Sequence, residues 1–209
     1  MGNKIVQIAL TGGPCAGKSS VFEWLERHAQ LAGLPVLLVP EAATILVGRG
    51  FIIGQDVKDF QTHVLEMQLK LEQSAVERAE ALGRSCVIVC DRGTLDGAGY
   101  CSTEDFDSIA SSFCEDRSSL AERYDLVVHL SSVAVDEPEA YTTDNNEARH
   151  ESLDEAREQE RRTLAAWSGH PSRIIIGSSD TFEDKLARAI SAMESFVKKA
   201  LIDRIAGER

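Results

Sequence analysis

Positive charge is scarce in this sequence. Its 209 residues carry 22 Lys+Arg against 34 Asp+Glu, a formal net charge of −12. A surface of that sign repels nucleic acid and anionic lipid unless a local basic patch overrides it. The densest basic cluster, Arg157, Arg161 and Arg162, is diluted by Glu155, Glu158 and Glu160. Neither nucleic acid nor a membrane is therefore expected as a partner. Long hydrophobic runs are missing too: none approaches the ~18 residues that a membrane span needs. The first residues read as a strand rather than a charged-then-apolar signal segment, so the cytosol is the expected location. Cysteine is sparse and odd in number, five in all, which fits reduced thiols better than a disulfide framework. Cys86 and Cys90 flank an apolar run and read as small core residues. No repeat or flexible linker divides the chain, and a single domain over residues 1–209 is expected.

What is present is concentrated in one stretch. Gly12-Gly13-Pro14-Cys15-Ala16-Gly17-Lys18-Ser19 fits G-x-x-x-x-G-K-[ST] without a gap. An apolar run, Lys4 to Leu10, precedes it, and Ser20-Val21-Phe22-Glu23-Trp24-Leu25 opens a helical pattern behind it. Strand, glycine loop and helix together make a phosphate site. The glycines let successive N–H groups turn toward one anion, and the helix N-terminus adds unpaired donors. Gly12 to Ser20 are the expected nucleotide-binding residues. Lys18 is expected to reach the β- and γ-phosphates, with the Ser19 hydroxyl on Mg²⁺. No N-K-x-D motif marks a guanine-specific GTPase, so ATP is the default nucleotide and GTP stays open.

Periodicity organises the rest. A first helix is predicted from Ser19 to about Ala32, and Pro35–Val39 has the wholly apolar look of a strand covered on both faces. Asp56 to Leu82 is the longest helical pattern, with Phe60, Val64, Met67, Leu71 and Ala75 on its predicted core face. Val87–Asp91, Leu126–Leu130 and Ile174–Ile176 read as strands, and a looser helical stretch spans about Thr103 to Glu122. A last helix places Phe182, Leu186, Ile190, Met193, Val197, Leu201 and Ile205 on one side. Five strands alternating with helices predict an α/β fold with a parallel sheet and helices on both faces. Ligands in such sheets sit beyond the carboxyl ends of the strands.

Three strand ends carry chemistry. The first delivers the phosphate loop. Asp91 ends an apolar strand as a Walker-B-type acid would, placed to hold Mg²⁺ beside Ser19. Arg92 offers a fork of donors for phosphate oxygens; the alternative is a salt bridge to Asp96. Glu41 reads equally as a general base for an acceptor hydroxyl or as an acid in the first turn of a helix. The polar stretch of about 133–162 is expected to form a lid, with Arg149 as the residue that closes on the transferred phosphoryl group. Arg157 and Arg161, at i, i+4, could share the face of Arg149; the alternative for Arg161 and Arg162 is a solvated face pairing with Glu158 and its neighbours, and that alternative is the expectation for Arg162. An acceptor would lie between Glu41, Arg92 and Asp96, walled by the Gly48–Gly54 loop and the long helix. Gln61 and Gln68 on that helix could offer amides to the acceptor but are expected to face solvent, and the scattered histidines, His129 included, are expected to be structural.

Several segments together resemble a known family. Thr11–Ser19, Val39-Pro40-Glu41-Ala42-Ala43-Thr44, Cys90-Asp91-Arg92-Gly93-Thr94-Leu95-Asp96, Asn145–Glu151 and Trp167-Ser168-Gly169-His170-Pro171 are similar to the kinase-like P-loop domain of the AAA-28 group. That group includes nicotinamide-riboside kinase-like domains and the nucleotide-binding domain of the translocation-defect proteins of animals. The resemblance implies a nucleoside-monophosphate-kinase-like fold with a lid, ATP or GTP binding, and phosphoryl transfer. It strengthens Glu41 as the base and the Asp91-Arg92 pair as part of the phosphate site. Where nicotinamide-riboside kinases tend to have an arginine shortly after that glutamate, this chain has Thr44, so the acceptor does not carry over. Two functions stand: a small-molecule kinase acting on a nucleoside-like or other small acceptor, and a regulator whose NTP hydrolysis is coupled to partner binding.

Overall fold

The computed structural model describes residues 3–53, 56–132, 152–177 and 181–207, with side chains of the last helix described as far as 203. Its strands are β1 (Ile5–Gly12), β2 (Gln30–Leu31), β3 (Leu34–Val39), β4 (Cys86–Asp91), β5 (Leu126–Leu130) and β6 (Arg173–Ile176). Its helices are α1 (Lys18–His28), α2 (Ala42–Gly48), α3 (Val57–Ala81), α4 (Thr103–Ser112), α5 (Arg117–Ala121), α6 (Leu153–Ala166) and α7 (Phe182–Gly207). The strand order is β2-β3-β4-β1-β5-β6, with every pairing parallel except β2–β3.

The sheet has six strands rather than the five expected. The extra one is a two-residue edge, and its cause is local. Ala29, Ala32 and Gly33 all take positive φ (53°, 52° and 78°), which ends α1 at His28 and reverses the chain. A strand this short leaves no period-2 signature in a sequence. The stretch 103–122 likewise divides into two helices, each with its own cap, Ser102 and Asp116.

The pleat sorts the central strands onto two cores. Val6, Ile8 and Leu10 join Val87, Val89, Leu126 and Val128 beneath α1 and α7. Ala9, Ile88, Cys90 and Val127 pack with Leu65, Phe106, Ile109 and Trp167 on the other face. Cys86 and Cys90 are buried as the sequence implied. Among the described residues no helix is long and apolar enough to cross a membrane. β1 stands between β4 and β5, so the chain departs to opposite sides of it. Its carboxyl end is the switch point where such sheets open a crevice.

Candidate nucleotide and acceptor site

β1 delivers Thr11 and Gly12 to that crevice, and the loop closes on α1 with Gly17 as a left-handed N-cap (φ 95°). Lys18 Nζ donates to the carbonyls of Gly12 (2.8 Å) and Gly13 (2.9 Å), which folds its ammonium over the loop. Burial, with help from the nearby Arg92 charge, lowers Lys18 to about 8. Asp91 is raised to about 6, first by burial and then by Glu41. One of its carboxylate oxygens is buried without a hydrogen-bond partner. Such an oxygen, together with the exposed Ser19 hydroxyl, suits a hard cation whose other ligands are phosphate oxygens and waters.

Glu41 precedes α2 but does not cap it. Its carboxylate instead accepts from Arg92 Nε at 2.5 Å and from Thr44 Oγ1 at 2.6 Å. Burial pushes Glu41 up, but Arg92 and the Thr44 hydroxyl outweigh it, and the group is held below its ordinary value. Arg92 also reaches Gly12 O (3.4 Å) and Asp96 Oδ2 (3.6 Å) through Nη1. It therefore joins the phosphate loop to both acids. Its backbone sits at φ 70°, the strained left-handed region that non-glycine residues seldom adopt outside constrained sites. Asp96 is anchored from both sides, its Oδ1 accepting from Thr11 Oγ1 and Trp167 Nε1, each at 2.6 Å. The Trp167–Pro171 segment thus acts as a bracket for an acid of the site.

Lys18, Glu41, Asp91, Arg92 and Asp96 are therefore brought together. Arg149, the expected lid residue, lies outside the described residues, as does most of 133–162. Arg161 takes the solvated alternative, exposed and paired with Glu158 (2.8 and 2.6 Å). Arg162 does not: it donates to the Cys101 carbonyl at 2.5 Å. Arg157 stands 3.5 Å from Asp154.

Beside this cluster lies a cavity of about 500 Å³, lined in part by Glu41, Phe60, Gln61, Gln68, Arg92 and Phe106. Two readings of α3 are corrected here. Gln61 and Gln68 are 8% and 3% exposed, not solvated. The fully buried arc keeps Phe60 and Ala75 of the predicted stripe but otherwise runs through Gln61, Leu65, Gln68, Glu72 and Ala79, which leaves Val64, Met67 and Leu71 half-buried.

Glu160 was the least visible contributor, because it reads as one more surface acid. It is 5% exposed, accepts from the Gly13 amide at 2.6 Å and pairs with His129 Nε2 at 2.8 Å. It so pins α6 to the phosphate loop, and His129 is structural in the sense of holding that pin. A Cβ on Gly13 would lie 2.4 Å from Glu160 Oε2 and 3.2 Å from its Cα. Gly13→Ala must therefore push α6 off the loop. The expected loss is about 1–3 kcal/mol of stability with weakened nucleotide affinity, measured by thermal melting and calorimetry. An unchanged melt would mean that the contact carries no weight.

A family profile described as "AAA domain" (AAA-28) matches residues 7–185, most of the chain. The chain belongs to this AAA-domain family. Among solved structures, the crystal structure of NadR protein in complex with NAD and AMP-PNP resembles it over 91% of the chain, at 17% identity and a TM-score of 0.62. The AAA domain described here spans about half, 49%, of that protein's length. At that identity the likeness shows the fold, an α/β P-loop NTPase architecture. No curated protein sequence matches the chain.

Proposed function

We propose that this AAA domain is a phosphotransferase that moves the γ-phosphoryl group of ATP·Mg to a small acceptor carrying a hydroxyl group. The supporting observation is the cavity whose lining includes Glu41, Arg92 and Asp96, the same charged groups that act on Lys18. A hydrolytic regulator has no need of a walled acceptor chamber at its phosphate end. The likeness to a protein crystallised with both NAD and AMP-PNP supports a site for two ligands.

In this reading the loop amides and Lys18 hold the β- and γ-phosphates. Ser19 and Asp91 would hold Mg²⁺, which neutralises charge on the phosphate oxygens. Arg92 remains cationic through Glu41 and Asp96 and directs its free donors at the transferred group. The transition state of phosphoryl transfer is loose, so positioning and charge matter more than a strong base. Glu41, kept ionised by Arg92 and Thr44, orients the acceptor hydroxyl and takes its proton late.

Glu41→Gln is expected to leave ATP affinity within about twofold and to cut phosphoryl transfer by roughly 10²–10⁴-fold. The assay is ATP consumption in the presence of a pool of nucleosides and other hydroxylated metabolites. Consumption indifferent to every acceptor and to Glu41→Gln would favour the regulatory NTPase instead.

A further inference from the structure

The peptide that joins Gly12 to Gly13 is held at both ends. Its carbonyl accepts from Lys18 Nζ at 2.8 Å and from Arg92 Nη1 at 3.4 Å. Its N–H donates to Glu160 Oε2 at 2.6 Å. In a trans peptide these two groups point in opposite directions, so two cations stand on one side of the plane and a carboxylate on the other. Glycine on either side offers little steric resistance to rotating that plane, and Gly12 already sits at φ 143°. Turned by half a rotation, the peptide would present its N–H to the ammonium and its carbonyl to the carboxylate. Charge, not bulk, therefore sets its orientation.

Glu160 is itself held. Burial pushes its carboxyl up, but His129 and the Gly13 and Ser132 amides outweigh burial and keep it below its ordinary value, ionised. His129 is fully buried, with Nε2 2.8 Å from Glu160 Oε1 and Nδ1 without a hydrogen-bond partner among the described residues. The tautomer with its hydrogen on Nε2 fits, because a hydrogen on Nδ1 would be buried unpaired. The pair thus sets one negative charge behind a loop that must receive phosphates, an adverse arrangement unless a carboxylate does there what a neutral amide cannot. A hydrogen bond from the N–H to an anion polarises the peptide and strengthens its carbonyl as an acceptor, by roughly 10–30% per bond. That carbonyl is the one that grips Lys18. Glu41, Asp91 and Asp96 favour the ammonium and Arg92 opposes it, but its hydrogen bonds go to the Gly12 and Gly13 carbonyls.

We propose that Glu160 is a positioning residue of the phosphate loop: it fixes the Gly12–Gly13 peptide and, through that one peptide, places the Lys18 ammonium for an incoming triphosphate. An anion, a peptide and two cations form a single chain of hydrogen bonds across the loop. The inference concerns the grip on Lys18 and holds whether or not an acceptor exists. Its failure is thus separable from that of the phosphotransfer reading.

The test compares the full chain with Glu160→Gln, which keeps the shape and removes the charge. Without nucleotide, acetylation of Lys18 by sulfosuccinimidyl acetate is followed by mass-spectrometric peptide mapping, with the exposed Lys70 and Lys198 as references. Lys18 is expected to react about 3–10-fold faster in the variant, relative to those references, because its ammonium is released from the backbone. ATP·Mg is expected to bind about 3–10-fold more weakly by calorimetry. A purely structural Glu160 would lower the melting temperature and leave the relative labelling of Lys18 where it was. In the parent, the Gly13 amide proton is expected far downfield of the other loop amides by NMR, the mark of a short bond to a carboxylate; this reading stands even if the variant does not fold. Unchanged relative labelling of Lys18, unchanged ATP·Mg affinity, an ordinary Gly13 amide shift, or a parent that binds no ATP·Mg would each overturn the proposal.

Discussion

Lys18→Ala reduces ATP turnover by about 10³-fold or more, with nucleotide affinity falling alongside it. The ammonium is held 2.8 and 2.9 Å from the Gly12 and Gly13 carbonyls, so it is placed over the loop before any phosphate arrives. Preplaced charge in a poorly solvated site stabilises developing negative charge without reorganising at the moment of transfer. The same burial that makes it effective lowers its pKa to about 8. A bound phosphate favours the protonated form, so nucleotide affinity in the parent protein should decline as pH rises through about 8. In Lys18→Ala that limb should be missing. The measurements are ADP release and calorimetric titration of ATP·Mg between pH 6.5 and 9.5. Turnover in Lys18→Ala within tenfold of the parent would contradict the assignment of the loop as the reaction's phosphate site.

Glu72→Ala should be the most destabilising single change in the protein. Glu72 is 0% exposed and gathers Gln7 Nε2 (3.2 Å), Gln68 Nε2 (2.8 Å), Arg123 Nε (2.8 Å) and the Tyr124 hydroxyl. Removing it strands the half-buried Arg123 guanidinium and three further polar groups at once. Breaking a buried pair from one side costs about 3–5 kcal/mol, because the orphaned groups keep their desolvation penalty. At this chain length that corresponds to a fall of roughly 6–20 °C in melting temperature. The consequence reaches the site. Glu72 fixes Gln68, and Gln68 donates to the Arg92 carbonyl, at the residue whose backbone is strained. Glu72→Gln, which keeps the shape and part of the hydrogen bonding, should lose less stability yet still slow transfer by loosening Arg92. A melting temperature within 2 °C of the parent in Glu72→Ala would show that the network is not a structural unit.

Helix α3 and the phosphate loop differ in how much of their burial adjacent residues encode. The loop is written in consecutive residues, and each glycine answers to local geometry or close approach. The acids and the arginine at Glu41, Asp91 and Arg92 were legible because apolar strands announce where they end. The buried arc of α3 was not. Phe60, Val64, Met67, Leu71 and Ala75 form the better apolar stripe, yet α3 buries Gln61, Gln68 and Glu72. Periodicity credits apolar side chains only, and it cannot foresee polar partners such as Gln7, Arg123 and Tyr124 waiting on other elements. Glu160 was hidden for the same reason. Its partners, Gly13 and His129, lie 147 and 31 residues away.

The sequence alone determined the strand–loop–helix that cradles a phosphate, the two-sided sheet and the strand ends where chemistry gathers. These follow from short-range sterics and from the alternation of apolar runs, which neighbouring residues settle among themselves. Only the tertiary structure decided which polar side chains are buried, that Glu160 pins α6 to the loop, and that Gln61 lines a cavity. A buried polar group is stable or reactive according to partners that the fold brings from far along the chain, and no local pattern encodes them.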